Sequence, residues 1–373
     1  MKRVLKNASV LTTTGFRKTD LIIEEGKIRW VGQTNQPGED CTGKRIIPGL
    51  VDIHTHGCAG GDHLDGEKEK TAAICDMMAR QGTTSVLATI MTQSRETLLQ
   101  GAKNAKECAE TVGGTRIRGI YLEGPFFCQQ YKGAQHPMYL MNPENELIDQ
   151  LQEASGNLLK IVSLAPELPG ALEFIAQRKD VNLFLGHTAT DYDTAKAAFA
   201  AGAKGLTHTF NGMQPMHHRK PGAIVAAMEQ ESAFCECICD GFHVHPAMVN
   251  LLYKAVGKER FCVISDSLRP AGLPDGAYLS GGQKVNVQDG KAYLEDGTIA
   301  GSTTNLLQEV RNLVVWGVCD LADAVYAASA VPAKAAGIFN SVGSIEIGKE
   351  ADLLILDADL VLEKTILSGV DYV

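Results

Sequence analysis

Between residues 49 and 342 short apolar runs alternate with helix-like stretches, and counting the runs limits the folds open to the chain. The runs are LVDIHTH (50–56), TTSVLATI (83–90), RIRGIYLEGP (116–125), LLKIVSLAPE (158–167), NLFLGHTA (182–189), AKGLTHTF (203–210), FCECICDGFHVHP (234–246) and FCVISDS (261–267). Helical patterns lie between them, for example at 67–81, 94–110 and 191–201, and another follows at 304–317. Eight such alternations predict a (β/α)8 TIM barrel over residues 49–342 with modest insertions, one of them an irregular stretch near 270–300. The two ends read differently. Residues 2–47 and the final segment GSIEIGKEADLLILDADLVLEKTILSG carry short strand patterns broken by Gly and Asp turns. The termini are therefore expected to pair into a small β-sandwich domain formed by 1–48 and 343–373.

Within the barrel pattern the histidines are the informative residues. All ten lie between His54 and His245. His54 and His56, His187, His208, His243 and His245 sit at or just beyond the C-terminal ends of predicted strands, as do Glu123 and Asp266. In a barrel the catalytic face is the C-terminal end of the strands, so these distant residues are expected to meet at one mouth. A lone histidine is usually a core or surface residue. Six with two carboxylates at the same relative position form a pattern instead. Residues two apart on a strand share a face, so His54 and His56 are placed side by side, as metal ligands would be.

A set of His, Glu and Asp without cysteine suits a divalent metal, Zn²⁺ first and Fe²⁺ second, and such an ion lowers the pKa of bound water toward ~7. Asp266 is placed to carry a proton beside such an ion, the plainer reading being a helix cap. Cys235, Cys237 and Cys239 alternate on one strand face and read as buried packing rather than a soft-metal site.

Other function classes are excluded by bulk properties. A net charge of -9 with no Lys/Arg cluster argues against a nucleic-acid surface. No 18-residue apolar stretch occurs, so no membrane association is expected, and the N-terminus carries no apolar segment of secretory length. The ten cysteines lack CxxC spacing, which reads as reduced thiols in a cytoplasmic protein.

Seven segments, PGLVDIHTHG, YLEGPF, LAPE, LGHTA, THTFNGMQPMHHRKPG, DGFHVHP and VISDS, together resemble the N-acetylglucosamine-6-phosphate deacetylases of the amidohydrolase superfamily. The resemblance implies hydrolysis of the N-acetyl group of N-acetyl-D-glucosamine 6-phosphate, giving glucosamine 6-phosphate and acetate. It implies a metal held by Glu123, His187 and His208, and one or two ions per subunit: members that keep both first-strand histidines, as here at His54 and His56, have a place for a second ion that Glu123 can bridge. It further assigns Asp266 as general base and His243 as the group that orients the substrate carbonyl. Sugar phosphate binding falls on Ala134, Asn211, Gly212, His218 and Arg219, with Thr304 near the acetyl group. In this family the arginine reaches the neighbouring subunit's site, so a homodimer is expected.

The pocket departs from the family pattern at Gln135, where G-A-H is usual, and at Gly212, Ser265, Ser267 and Thr303–Leu306. The rival readings are the epimeric N-acetylgalactosamine 6-phosphate, a different amide, and a barrel without activity.

Overall fold

The computed structural model describes residues 2–373. The chain opens with β1 (Lys2–Thr12), β2 (Gly15–Glu24), β3 (Lys27–Val31), β4 (Glu39–Asp40) and β5 (Arg45–Pro48). It then enters the barrel at β6 (Leu50–Thr55) and continues through α1 (Lys68–Arg80), β7 (Thr83–Met91), α2 (Arg95–Thr111), β8 (Arg116–Glu123), α3 (Asn145–Ser155) and β9 (Leu159–Leu164). The second half runs through α4 (Ala171–Gln177), β10 (Asn182–Leu185), α5 (Tyr192–Ala201), β11 (Gly205–Leu206), α6 (Gly222–Glu229), β12 (Phe234–Cys237), α7 (Pro246–Val256) and β13 (Phe261–Val263). Strands β6 to β13 form one parallel sheet in chain order. The eight expected runs are thus the eight strands, although the sixth and seventh are far shorter than their apolar runs.

Between β13 and β6 the barrel is closed by single bonds rather than by a ladder. Asp266 N–H donates to His54 O at 2.9 Å, and Ser265 Oγ–H donates to Asp52 Oδ2 at 2.6 Å.

The interior follows the alternation of the strands. Tyr121 and Phe184, with Ile53, Ile161, Ile238 and Ile264, form the apolar centre of the barrel. The intervening residues, such as Ile120, Leu122, Cys235 and Cys237, pack outward against the helices. The three thiols of FCECIC are all buried there, as packing. Phe184 is fully buried, and cutting it to Ala would cost about 3–5 kcal/mol. Val331, Ala333 and Ala335 pack into the same apolar centre, and the cavity of the barrel lies at the C-terminal ends of the strands.

The stretch near 270–300 corrects the sequence reading. It is a four-stranded antiparallel sheet, β14 (Gly276–Ser280), β15 (Gln283–Gln288), β16 (Lys291–Leu294) and β17 (Ile299–Gly301), not an irregular insertion. Val285, Val287, Ala292 and Leu294 alternate onto one face and pack with Leu268 and Ala134. That carries the sheet to the barrel mouth. Helices α8 (Leu306–Val315), α9 (Leu321–Ala327) and α10 (Ala330–Ala335) follow, and β18 (Leu353–Leu356), β19 (Leu362–Leu367) and β20 (Val370–Asp371) end the chain.

The terminal strands do pair with the first ones. β18 lies antiparallel to β5, giving the order β20-β19-β18-β5-β1-β2-β3 with β4 beside β1. Hydrogen bonding links them into one continuous sheet, whose residues Leu5, Val10, Leu21, Ile46, Leu353 and Ile366 share a core.

Candidate active site

The open end of the barrel holds a cavity of ≈ 290 Å³. His56, Glu123, His187, His208, His243 and Asp266 all line it, and His54 lies directly beneath, fully buried. Each comes from a different strand end except the first pair. Ile53 belongs to the apolar interior and its neighbour His54 to the site, which strict alternation would forbid. The ladder between β6 and β7 slips between Asp52 and Thr55 and accommodates both. Three of the strand-end residues leave ordinary backbone conformation altogether: φ is 45° at His187, 25° at His208 and 46° at Asp266. Such left-handed geometry costs on the order of 1–3 kcal/mol per non-Gly residue, a strain typical of functional sites.

The imidazoles are held by their Nδ1 atoms. His187 Nδ1 lies 2.8 Å from Tyr131 O, His208 Nδ1 3.1 Å from Asn211 O, and His54 Nδ1 3.0 Å from Glu236 Oε2. Oxygen acceptors place the hydrogen on Nδ1, which leaves Nε2 of each neutral ring as a bare lone pair. These lone pairs converge. The Nε2 atoms of His187 and His208 are 3.1 Å apart and lie 3.0 and 3.1 Å from Glu123 Oε1. His54 Nε2 is 3.6 Å from the same oxygen and has no hydrogen-bond partner although wholly buried. His56 Nε2 stands 3.2 Å from Asp266 Oδ1 and 3.4 Å from Glu123 Oε2.

Acceptors facing acceptors in a dry space repel unless positive charge sits among them. In the ion-free protein that charge is drawn in as protons. Burial opposes charging His54 and His56, but Glu236, Glu123 and Asp266 outweigh it and raise both. Burial likewise works to raise Glu123 and Asp266, yet the histidines hold Glu123 well below and Asp266 below the usual carboxylate range.

A divalent metal ion answers the same demand. Two sets of donor atoms, Glu123/His187/His208 and His54/His56/Asp266, each lie within 4.8 Å of one another. Their nitrogen and oxygen atoms fit a borderline divalent ion, and the Nδ1 partners of His54, His187 and His208 are the kind of support that fixes a ligating histidine; His56 Nδ1 has none among the described residues.

Two glycines make room for this arrangement. A Cβ on Gly212 (φ 57°) would meet His187 Nδ1 at 2.8 Å, and one on Gly133 (φ 54°) would meet His187 Cε1 at 3.1 Å. Any side chain at either position would push the imidazole off its place.

The other expected residues divide. His243 lines the cavity, with its Nδ1 2.6 Å from Asp240 Oδ2, and burial is outweighed at Asp240 by that bond, so its pKa is lowered. Ala134, Asn211 and Gly212 line the cavity. His218 and Arg219 do not: they are exposed on a tight turn closed by His217 and Lys220. Thr304 lies just beyond the wall, which is instead made by Thr298–Gly301 of the antiparallel sheet, and its N–H turns to Ser302 Oγ at 3.3 Å. His245 caps α7 by accepting Ala247 N–H.

Four contributors were not assigned from sequence: Glu236, Asp240, Asp52 and Gln135. Gln135 replaces the family's histidine and donates to Glu123 Oε2 at 2.6 Å. Asp52 accepts His54 N–H, and burial pushes its pKa up to about 7. Glu236 had a signal, since the outward thiols on either side force it into the barrel.

Known proteins share this arrangement of sequence and fold. The Amidohydrolase family model matches residues 45–371. An N-acetylglucosamine-6-phosphate deacetylase of Bacillus subtilis is 36% identical over 98% of this chain and 96% of its own length. An N-acetylgalactosamine-6-phosphate deacetylase of Escherichia coli O157:H7 is 35% identical over 99% of each. The solved structure of an N-acetyl-D-glucosamine-6-phosphate deacetylase from Mycobacterium smegmatis, in complex with N-acetyl-D-glucosamine 6-phosphate, superposes with a TM-score of 0.94 at 32% identity and covers 99% of both chains.

Proposed function

The chain belongs to the amidohydrolase family, and from that premise we propose that it hydrolyses the N-acetyl group of N-acetyl-D-glucosamine 6-phosphate, releasing acetate and glucosamine 6-phosphate. The observation that carries the reading is the convergence of His187, His208 and Glu123 beneath a cavity that also presents Asp266 and His243.

Glu123, His187 and His208 would hold one ion, with His54, His56 and Asp266 as the position for a second, and Zn²⁺ is the ion that the donor set favours. A bound ion of this kind polarises a carbonyl and lowers the pKa of water. The protein's own residues do the rest. Asp266 takes the proton of the attacking water and delivers it to the departing amine, so one carboxylate serves as base and then as acid. Asp240 fixes the His243 ring, which leaves Nε2 as its remaining polar atom to steady the oxygen of the tetrahedral intermediate. Asn211 and Gly212, beside His187, offer polar main-chain and side-chain groups to the sugar.

The phosphate needs a cation that this cavity lacks. No lysine or arginine is among its lining residues. Arg219, exposed on its turn, supports a homodimer in which each subunit's arginine completes the other's site. Ten free cysteines, eight of them buried, support a reducing compartment such as the cytoplasm.

The epimer is a second reading because the Escherichia coli relative that acts in its name on N-acetylgalactosamine 6-phosphate is nearly as similar. Acetate release from both phosphorylated sugars and from unphosphorylated N-acetylglucosamine separates these readings. Preference for the glucosamine sugar is the expected result, and release from neither phosphorylated sugar would overturn the proposal.

A further inference from the structure

Glu236 is a fully buried carboxylate that the proposed chemistry does not use. It enters the barrel from β12 between two outward thiols and is 0% exposed. One oxygen, Oε2, serves both halves of the site: His54 Nδ1 lies 3.0 Å from it, and the main-chain N–H of His208 donates to it at 3.0 Å. The other oxygen, Oε1, has no partner among the described residues. Tyr121 packs against the His54 ring at a centroid distance of 4.5 Å, so the imidazole has little freedom to turn.

This geometry fixes a direction. Because Oε2 accepts from His54 Nδ1–H, the bare Nε2 of His54 must point up toward Glu123 Oε1 at 3.6 Å and Asp266 Oδ1 at 3.8 Å. There it is buried and unpartnered, a donor atom with nothing to bind except a cation. We propose that Glu236 is a positioning residue that makes the His54/His56/Asp266 position a true second metal site. It does so by holding His54 in the ligating tautomer, and it couples that site to the first through the main chain of His208. The inference rests on the metal-dependent reading above.

Carboxylates that support a ligating histidine typically change metal affinity about 10–100-fold when removed. The chelator-stripped wild-type protein, titrated with Zn²⁺ alone, is therefore expected to take two equivalents per chain. Glu236→Gln is expected to bind the first equivalent nearly as before and the second about 10–100-fold more weakly. With substrate, the loss should fall on kcat, with KM for the phosphorylated sugar nearly unchanged.

Should Glu236→Gln fold poorly, Glu236→Met fills a similar volume without a carboxylate and is expected to lose the second equivalent altogether. A His54→Gln background supplies the cycle: adding Glu236→Gln there should change zinc binding little, because the positioned residue is already gone. One equivalent in the wild type, or two equivalents of unaltered affinity in the folded variants, would overturn the proposal. The titration needs no substrate. Two Glu236-dependent equivalents in a protein that deacetylates nothing would sustain this inference and refute the proposed reaction.

Discussion

Gln135 Nε2 donates a 2.6 Å hydrogen bond to Glu123 Oε2, while its own carbonyl accepts Thr92 N–H at 3.0 Å. Glu123 is therefore gripped on both oxygens, by Gln135 on one and by the histidines on the other. Gln135→Leu keeps the bulk and removes both bonds, leaving buried groups unpaired at about 1–3 kcal/mol. A drop in metal affinity of about 10-fold or more is expected in competition with a chelator, and unchanged affinity would show that Glu123 needs no such support.

Asp266→Asn tests the proton carrier. The amide can neither take nor return a proton, so kcat for acetate release is expected to fall about 100- to 10,000-fold. The Glu123/His187/His208 position should still fill, which a metal assay on the same preparation checks. Turnover near the wild-type rate would remove Asp266 from the mechanism.

In the proposed homodimer Arg219 serves the partner's site. Arg219→Ala should raise KM for the phosphorylated sugar about 10- to 100-fold, from about 1.5–3 kcal/mol for a charge-assisted hydrogen bond, and leave the unphosphorylated sugar unaffected. A purified mixed dimer of Arg219→Ala and Asp266→Asn should regain one working site in two, because one subunit's intact Asp266 then meets its partner's intact Arg219. Mixed dimers that keep the raised KM of the Arg219→Ala parent would place the arginine in its own subunit's site, and an unchanged KM in that parent would remove it from the site altogether.

Much of this could be read from the residues in order, and the exceptions have physical causes. Strand-end histidines stood out because a TIM barrel gathers strand ends, so His54, His56, His187 and His208 could be grouped without knowing their distances. Glu236 is masked in the sequence by its neighbours: the cysteines on either side mark an outward, apolar face, and only alternation sends the glutamate inward. The sheet from Gly276 to Gly301 was missed because only Val285, Val287, Ala292 and Leu294 give it an apolar face, and glycines interrupt the rest. Thr304 was placed in the pocket because nothing in the sequence says that Thr298–Gly301 arrive there first as a strand. Asp52 illustrates a further limit: its role in closing β13 onto β6 depends on a partner, Ser265, more than two hundred positions away.

The joint between the terminal sheet and the barrel gives a stability prediction with a defined sign. Arg118 donates to Glu350 at 3.0 and 2.5 Å, and Arg116 donates to the same carboxylate. Burial works to raise Glu350, but the two arginines prevail and lower its pKa. Its contribution is thus complete above the unfolded value near ~4.3 and is lost as pH falls through the lower folded value. Asp352 beside it is shifted the other way by burial, so the comparison must be with Glu350→Gln rather than with pH alone. That variant should lose about 1–3 kcal/mol at neutral pH and approach the wild type in thermal melts only as pH falls from the unfolded value near ~4.3 through the lower folded one. A constant difference across that range would contradict the assignment.

The claim on which the rest depends is that a metal ion completes the converging lone pairs of His187, His208 and Glu123 for deacetylation. Its most direct test is acetate release from N-acetylglucosamine 6-phosphate by one preparation measured as purified, after chelation and after Zn²⁺ is returned. The account predicts release, its loss and its return. Undiminished release from metal-free protein would contradict it, as would silence from protein shown to carry the ion.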